Sequence, residues 1–223
     1  MKSLLLPFSK DRLSLKSRSQ VERYSGYFVF APLTKIVPLK IEEPEVASFT
    51  LFTSQNAVSS VQVQSWFGSK WSGIQAYTVG DKTRSSALKA GLNVVESFDP
   101  PAVSSLSELP LKSGIWFSGE DVAEPLDKRL SRLNRISVYR VVPDLEGQAR
   151  AENALKNGEI AAALVTSERV ASELISLGHI PPVVAALSER LKRYVNQNCP
   201  GTRVNLVSTF ELCIDWYLDS VLT

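Results

Sequence analysis

Residue types that commonly carry catalysis are scarce in this chain of 223 residues. It contains one histidine, His179, and two cysteines, Cys199 and Cys213, which lack a metal-like Cys-x-x-Cys spacing. A zinc site or a Ser-His-Asp triad would have to be built around that single imidazole, so we expect no metal site and no triad. We interpret the cysteines as reduced thiols rather than as a disulfide.

Long apolar runs and an excess of one charge are also lacking. The apolar runs are far shorter than the ~20 residues of a membrane-spanning helix, so we expect no membrane anchor. The 25 Lys and Arg residues nearly balance the 23 Asp and Glu residues, which argues against a nucleic-acid partner. The apolar part of residues 1–8 is too short for a secretory signal, and we interpret the chain as a mature, cytoplasmic protein.

The glycine-rich motifs of nucleotide binding are missing as well. Neither G-x-x-x-x-G-K-[ST] nor G-x-G-x-x-G occurs in the sequence. Backbone N–H groups of such loops bind phosphates in nucleotide hydrolases and dinucleotide enzymes. Their absence argues against both of these enzyme classes.

Short β-rich runs alternate with amphipathic stretches along the chain. The predicted strands are Ser3–Leu6, Gly26–Phe30, Ser48–Phe52, Gln75–Val79, Asn93–Glu96, Ser113–Phe117, Ser137–Val142, Ala161–Val165, Val183–Leu187 and Thr202–Val207. The predicted helices are Ala57–Phe67, Lys82–Ala90, Val122–Leu133, Gln148–Asn157, Ser167–Ser176, Ser188–Asn198 and Phe210–Val221. This order predicts an α/β fold in which helices cover both faces of parallel sheets.

An internal similarity divides the chain into related halves. The segment Leu51–Val58 recurs 113 residues later as Leu164–Ala171, and each copy is an apolar strand that ends in Thr-Ser before a helix. The remaining quarters have the same order of elements. One consists of a strand at Leu4–Phe8, a helix and the extended segment Phe28–Pro38. The other consists of a strand at Ile115–Gly119, a helix and the extended segment Val138–Pro143. Such a repeat predicts two similar doubly wound domains.

The matching quarters also show where the chain passes between the domains. Phe28–Pro38 and Val138–Pro143 are extended, β-branched and bounded by proline, which favours two adjacent strands that form a hinge. We therefore predict one discontinuous domain of residues 1–36 plus 144–223. The inserted domain comprises residues 37–143.

Polar residues gather where the predicted strands lead into helices. The carboxyl ends of parallel strands share one edge of a sheet, where helix N-termini present unpaired N–H groups to anionic ligands. Ser, Thr and Asp are also ordinary helix caps, so each residue alone has a purely structural alternative. These junctions are Thr53–Ser54, Gly80–Thr83, Ser118–Asp121, Thr166–Ser167 and Ser188.

Other side chains near these junctions have two possible roles. Tyr139 lies in the second crossing strand, where its phenol either exchanges a hydrogen bond with a ligand or packs as a core aromatic. Basic residues near the junctions either pair with ligand carboxylates or carry ordinary surface charge. We expect Trp66, Trp71, Trp116 and Trp216 to pack in the core.

These residues carry a family resemblance. The succession Thr53–Val58, Val79–Thr83 with Leu88–Leu92, Val138–Arg140 and Thr166–Ser167 resembles the uroporphyrinogen-III synthase family. The similarity runs through nearly the whole chain and is most specific in residues 51–92 and around Tyr139. Each motif is short, and the resemblance rests on their order and spacing.

The resemblance implies a lyase of tetrapyrrole and haem biosynthesis that needs no metal or organic cofactor. Its substrate, hydroxymethylbilane, is cyclised to uroporphyrinogen III with inversion of ring D and loss of water. The resemblance further implies a monomer that receives this unstable substrate from hydroxymethylbilane synthase. Tyr139 would act as a general acid in the departure of water. The substrate carboxylates would be bound by Thr53, Ser54, Gln55, Asn56, Gly80, Lys82, Thr83, Ser118, Gly119, Thr166, Ser167 and Ser188.

The sequence departs from the family pattern at three turns. The family usually has an Arg after the first strand, where this chain has Leu6-Pro7-Phe8. It often has Arg-Gly after the strand that here ends Phe117–Gly119, and a Gly-x-x-Thr turn in place of Leu187–Arg190. These departures motivate an alternative function, a non-catalytic two-domain homologue that binds a polyanionic metabolite.

Overall fold

A computed structural model describes residues 2–98, 114–122 and 130–222. Its internal contacts divide the chain into a first unit, Met1–Lys35 with Pro143–Thr223, and a second unit, Ile36–Val142. These boundaries lie one residue from those expected from the sequence. Most of the predicted helix Val122–Leu133 lies outside the described residues.

The secondary structure alternates between strands and helices, as expected of an α/β chain. The strands are β1 Ser3–Leu6, β2 Phe28–Phe30, β3 Thr34–Pro38, β4 Phe49–Phe52, β5 Gln75–Val79, β6 Asn93–Phe98, β7 Gly114–Gly119, β8 Asn134–Pro143, β9 Ile160–Val165, β10 Val183–Ala186 and β11 Arg203–Leu206. The helices are α1 Leu15–Arg23, α2 Gln55–Gln62, α3 Ser69–Ser72, α4 Asp81–Lys89, α5 Leu145–Lys156, α6 Glu168–Ser176, α7 Glu189–Asn198 and α8 Phe210–Leu222.

The two sheets share one strand order. The first unit has the order β11-β10-β9-β1-β2 and the second β6-β5-β4-β7-β8, with β3 as a sixth strand beside β8. The five strands of the first sheet run parallel, and so do β8, β7, β4, β5 and β6. Strand β4 therefore corresponds to β9, and β7 to β1. This correspondence confirms the two similar parallel-sheet halves predicted from the sequence repeat.

Both sheets are buried on both faces because successive side chains of a strand point in opposite directions. In the first unit, Leu5 packs into one buried cluster, whereas Leu4 and Leu6 pack into another. In the second unit, Phe52 and Leu51 divide between two clusters in the same way. The layers are those of a doubly wound fold.

The first crossing segment is two strands rather than one. Strand β2 ends at Phe30 in the first sheet, and β3 begins at Thr34 beside β8 in the second. Pro32 lies between them, and a proline has no N–H group to continue a ladder of hydrogen bonds. The second crossing is the single long strand β8, which pairs with β3.

Helix α2 is shorter than its amphipathic pattern indicates. It ends at Gln62, and the Gln64 side chain donates to the carbonyl oxygens of Leu39 and Ser60 and accepts from the Ile41 N–H. These contacts turn the chain toward the 39–41 segment, which overrides the local helical pattern. No helix among the described residues is both long and apolar enough to cross a membrane.

Candidate functional site

Most of the second unit's predicted site residues follow strands of one parallel array. Strand β4 pairs with β5 on one side and with β7 on the other, and β7 pairs with β8. Thr53, Gly80 and Gly119 stand at the carboxyl ends of β4, β5 and β7, and Gly119 is paired with Tyr139 of β8. The sheet therefore places these residues along one edge.

The Thr53–Ser54 turn leads directly into α2. The Ser54 Oγ atom accepts a hydrogen bond from the Asn56 N–H at 3.1 Å and caps the helix. The Thr53 Oγ1 atom accepts one from the indole Nε1 of Trp116 at 3.2 Å. The first turn of α2 contains no acidic residue, so nothing in that turn offsets the partial positive charge of the helix N-terminus.

The Gly80 turn leads into α4. Gly80 has a φ of +80°, a conformation that side chains disfavour, and its N–H donates to the Phe98 carbonyl at 2.8 Å. Lys82 is exposed, whereas Thr83 is 5% exposed and lies on the buried face of the helix. Of these predicted contacts, Gly80 and Lys82 are accessible to a ligand.

The residues Ser118, Gly119 and Glu120, which we call the Gly119 turn, span the end of β7. Gly119 lies so close to Tyr139 that a Cβ atom added there would be 2.8 Å from the tyrosine Cζ and 3.1 Å from its hydroxyl oxygen. The Glu120 N–H donates to the Tyr139 carbonyl at 2.9 Å. Ser118 is 2% exposed, and its hydroxyl donates to the Gly119 carbonyl at 3.0 Å.

Two further side chains of this edge were not among the predicted site residues. The Arg135 guanidinium reaches the Gly119 turn, and the Trp116 ring lies between that guanidinium and Thr53. The sequence indicated only a core role for Trp116. Arg135 lies opposite Trp116 in the parallel register of β7 and β8. This pairing is what brings the two side chains together, and the sequence alone does not indicate the register.

The matching turns of the first unit are also capped. The Ser167 Oγ accepts from the Val170 N–H at 3.2 Å, and the Ser188 Oγ accepts from the Leu191 N–H at 3.3 Å. Ser167 and Ser188 directly precede α6 and α7, which follow the neighbouring strands β9 and β10. Thr166 and Ser167 therefore share an edge with Ser188, as their positions predict.

Acidic side chains accompany both of these caps. Glu168 stands in the first turn of α6 and Glu189 in the first turn of α7. The Glu168 Oε1 atom accepts from the Arg190 Nε at 3.0 Å, and Arg169 pairs with Glu173 at 2.8 Å. The carboxylates of Glu168 and Glu189 offset the partial positive charge of these helix N-termini.

An aromatic cluster occupies the end of β1. Phe8 is 2% exposed, stacks on Phe210 with ring centroids 4.9 Å apart and meets Phe30 edge-on at 6.5 Å. The guanidinium of Arg12 lies 5.8 Å from the Phe8 ring centroid. The turn at which the family usually has an arginine is therefore an apolar contact here.

Buried polar side chains elsewhere in the first unit are suited to structural roles. Burial raises the pKa of the Cys213 thiol to about 12, so the reactive thiolate is scarce at neutral pH. Burial also raises the pKa of Tyr217 to about 12, and its hydroxyl donates to the Lys2 carbonyl at 2.8 Å. Among the described residues, no three His, Cys, Asp or Glu side chains are grouped as metal ligands would be.

The first unit has a groove of about 470 Å³. It runs beside the edge strand β11 and is lined by Arg203, Leu206, Leu212 and Trp216, among others. None of the residues predicted to bind substrate lines it.

Comparisons with known proteins agree with this architecture. A family model described as uroporphyrinogen-III synthase HemD matches residues 16–208. No curated protein sequence matches the chain significantly.

Solved structures match nearly the whole chain. The uroporphyrinogen-III synthetase of Helicobacter pylori 26695 is 16% identical and has a TM-score of 0.72, with 99% of this chain and 100% of that chain covered. A mutant uroporphyrinogen III synthase of Thermus thermophilus is 15% identical and has a TM-score of 0.61, with 100% of this chain and 99% of that chain covered. At these identities the likeness shows a common fold.

Proposed function

This chain belongs to the uroporphyrinogen-III synthase family, and on that premise we propose that it cyclises hydroxymethylbilane to uroporphyrinogen III as a lyase. The observation that carries the proposal for this chain is the edge described above. The Tyr139 ring packs on Gly119 there, and the acid-free N-terminus of α2 lies along the same edge. A phenol and an anion-binding helix end suit a substrate that carries several carboxylates.

The reaction begins when the C–O bond of the hydroxymethyl group breaks. The pyrrole electron pair expels the oxygen, which takes a proton and leaves as water, and a delocalised cation remains. In our proposal the Tyr139 hydroxyl supplies that proton as a general acid. Ring D then attacks through its substituted carbon, and the spiro intermediate fragments and recloses with the ring inverted. The proton lost at closure restores the phenol.

We propose that substrate binding rests mainly on the turns of the second unit. Thr53, Ser54, Gln55, Asn56, Gly80 and Lys82 present hydroxyls, amides, backbone N–H groups and one ammonium group to the carboxylates. Ser118 and Thr83 are buried, and we assign them to the shape of the turns rather than to direct contact. Thr166, Ser167 and Ser188 contribute weaker contacts because acidic residues accompany them, and Asp81 weakens the contact at the Gly80 turn in the same way.

The setting of the enzyme is part of the proposal. We infer a monomer that acts in the cytoplasm and takes its unstable substrate directly from hydroxymethylbilane synthase. Size-exclusion chromatography with light scattering measures the oligomeric state. A stable dimer at micromolar concentration would contradict the monomer.

A coupled assay with hydroxymethylbilane synthase tests the function. Hydroxymethylbilane that closes without the enzyme gives the symmetric type I isomer, so chromatographic separation of the isomers reports catalysis directly. We expect the type III isomer to predominate. Product that is entirely type I would reject the synthase function and favour the non-catalytic homologue.

The Tyr139→Phe variant tests the role of the phenol. We expect the rate of type III formation to fall on the order of a hundredfold, which is the usual contribution of a general acid. Tyr77→Phe is the matched control, because Tyr77 lies on β5 of the same unit and packs against Phe49 and Phe98. An unchanged rate in Tyr139→Phe would reject the proton-transfer role.

A further inference from the structure

Arg135 contacts every residue of the Gly119 turn. Its Nε atom donates to the Ser118 Oγ at 3.0 Å, and its Nη2 atom donates to the Gly119 and Glu120 carbonyls at 3.0 and 2.6 Å. Hydrogen bonds from a guanidinium are about twice as strong as neutral ones, and its planar fork fixes the geometry of the acceptors. One side chain thus binds the backbone at the point where β7 ends.

The other side of the same turn is Tyr139. The ring and hydroxyl atoms of Tyr139 lie 2.8–3.1 Å from the place where a Cβ of Gly119 would stand, and the Glu120 N–H donates to the Tyr139 carbonyl. The register shifts between Ser118 and Gly119, so the ladder alone does not fix this pairing. The turn is therefore held between a guanidinium and a phenol.

Arg135 also reaches the neighbouring strand end. Its Cζ atom lies 5.5 Å from the centroid of the Trp116 ring, a distance typical of a cation–π contact. The indole of Trp116 donates to Thr53. A continuous set of contacts connects Thr53 to the Gly119 turn through these two side chains.

We propose that Arg135 is a positioning residue that holds the Gly119 turn and thereby sets the place of the Tyr139 phenol. This inference rests on the proposed function, because the position that Arg135 gives to the phenol is the one that the inversion of ring D requires. A displacement of about 1 Å at a reacting group lowers rates by up to about a hundredfold. Loss of the fork therefore lowers turnover and allows more substrate to close as the type I isomer.

Arg135→Lys tests the proposal because it keeps the positive charge and removes the fork. We expect kcat for type III formation to fall about tenfold, KM to stay within about threefold and the type I fraction to rise. Arg132→Lys is the matched control, an exposed arginine of the same unit, and we expect its kinetics within about twofold of the parent.

A double-mutant cycle separates positioning from general structural damage. If Arg135 acts through Tyr139, Arg135→Lys should lower kcat by less than about threefold when it is added to Tyr139→Phe, because the effects of interacting residues are not additive. The same tenfold loss in both backgrounds would overturn the proposal. So would an Arg135→Lys variant that behaves like its Arg132→Lys control.

Hydrogen exchange provides a readout that does not depend on catalysis. The Glu120 amide donates to Tyr139 only while the turn is held, so Arg135→Lys should speed its exchange at least about tenfold, with exchange in β9 unchanged. A parent protein that yields only the type I isomer would reject the proposed function. In that case, equal Glu120 exchange in parent and variant would reject the positioning role as well.

Discussion

Thr53–Ser54 of the second unit and Thr166–Ser167 of the first occupy matching places, each after a central strand and before a helix. Both serines cap their helices. The surroundings differ: α2 begins without an acid, whereas α6 begins with Glu168 paired to Arg190. The same contrast recurs one strand away, where β7 ends in the Gly119 turn and β1 ends in the buried Phe8 cluster.

The two units share a strand order, but the residues at the ends of their strands differ. The strand order and the caps serve folding in both units, because any helix must satisfy its first N–H groups. Among the described residues, the second unit alone combines a helix end without acid, a phenol against a glycine and an arginine fork. We therefore expect substitutions in the first unit to act on stability and those in the second to act on catalysis.

The largest effect is expected from Phe8→Ala in the first unit. Removal of this buried ring should lower the free energy of unfolding by about 3–5 kcal/mol, as measured by urea denaturation. Phe8→Leu retains more volume and serves for kinetics, with kcat within about twofold of the parent. A tenfold fall in kcat for Phe8→Leu would place the first strand end in catalysis.

Gly119→Ala should cause the next largest effect, through catalysis. The new Cβ would displace the Tyr139 ring, and we expect the type III rate to fall about a hundredfold, equivalent to about 2.7 kcal/mol. Gly73→Ala is the control, because Gly73 has a φ of −80° and no atom within 4 Å of an added Cβ. Activity within threefold of the parent would show that Tyr139 does not need this contact.

A charge added at each Thr-Ser turn compares the units directly. Aspartate caps helices as well as serine does, so Ser54→Asp and Ser167→Asp should both keep the melting temperature. We expect Ser54→Asp to raise the substrate KM about five- to tenfold, because a carboxylate repels the polyanion. For Ser167→Asp, which adds a charge beside Glu168, we expect KM to rise less than about twofold. Equal increases would remove the distinction between the turns.

The smallest effect concerns Glu168 itself. Glu168→Gln removes the negative charge from the first turn of α6, and we expect KM to fall about twofold, within the usual range of helix-end charge effects. An exposed ion pair contributes little to folding, so stability should change by less than about 1 kcal/mol. An increase in KM would mean that Glu168 assists substrate binding.

The sequence predicted most of the fold because strands and turns carry local signals. Strands β1 and β5 match their predicted bounds to the residue, since Pro7 and Gly80 directly follow these short apolar runs. The end of α2 and β3 as a strand of its own were not predicted. Both depend on contacts with distant segments, which local periodicity does not contain.

The candidate site was less accessible to sequence reasoning. Thr83 was expected to contact substrate, but the pitch of α4 directs it into the buried face. Arg135 was not among the predicted site residues, because the role we propose for it depends on the pairing of β7 with β8 and on the register shift beside Gly119. Spacing along the chain indicates neither.

The discontinuity of the first unit has a consequence for biosynthesis. Strand β1 lies between β9 and β2, and Ser3 pairs with Ile160. Residues 36–142 are all synthesised before β9 is made, whereas β1 and β2 wait without the rest of their sheet. We expect the inserted unit to fold first during translation, and the chain to need protection of its apolar N-terminal strands until the last third is synthesised.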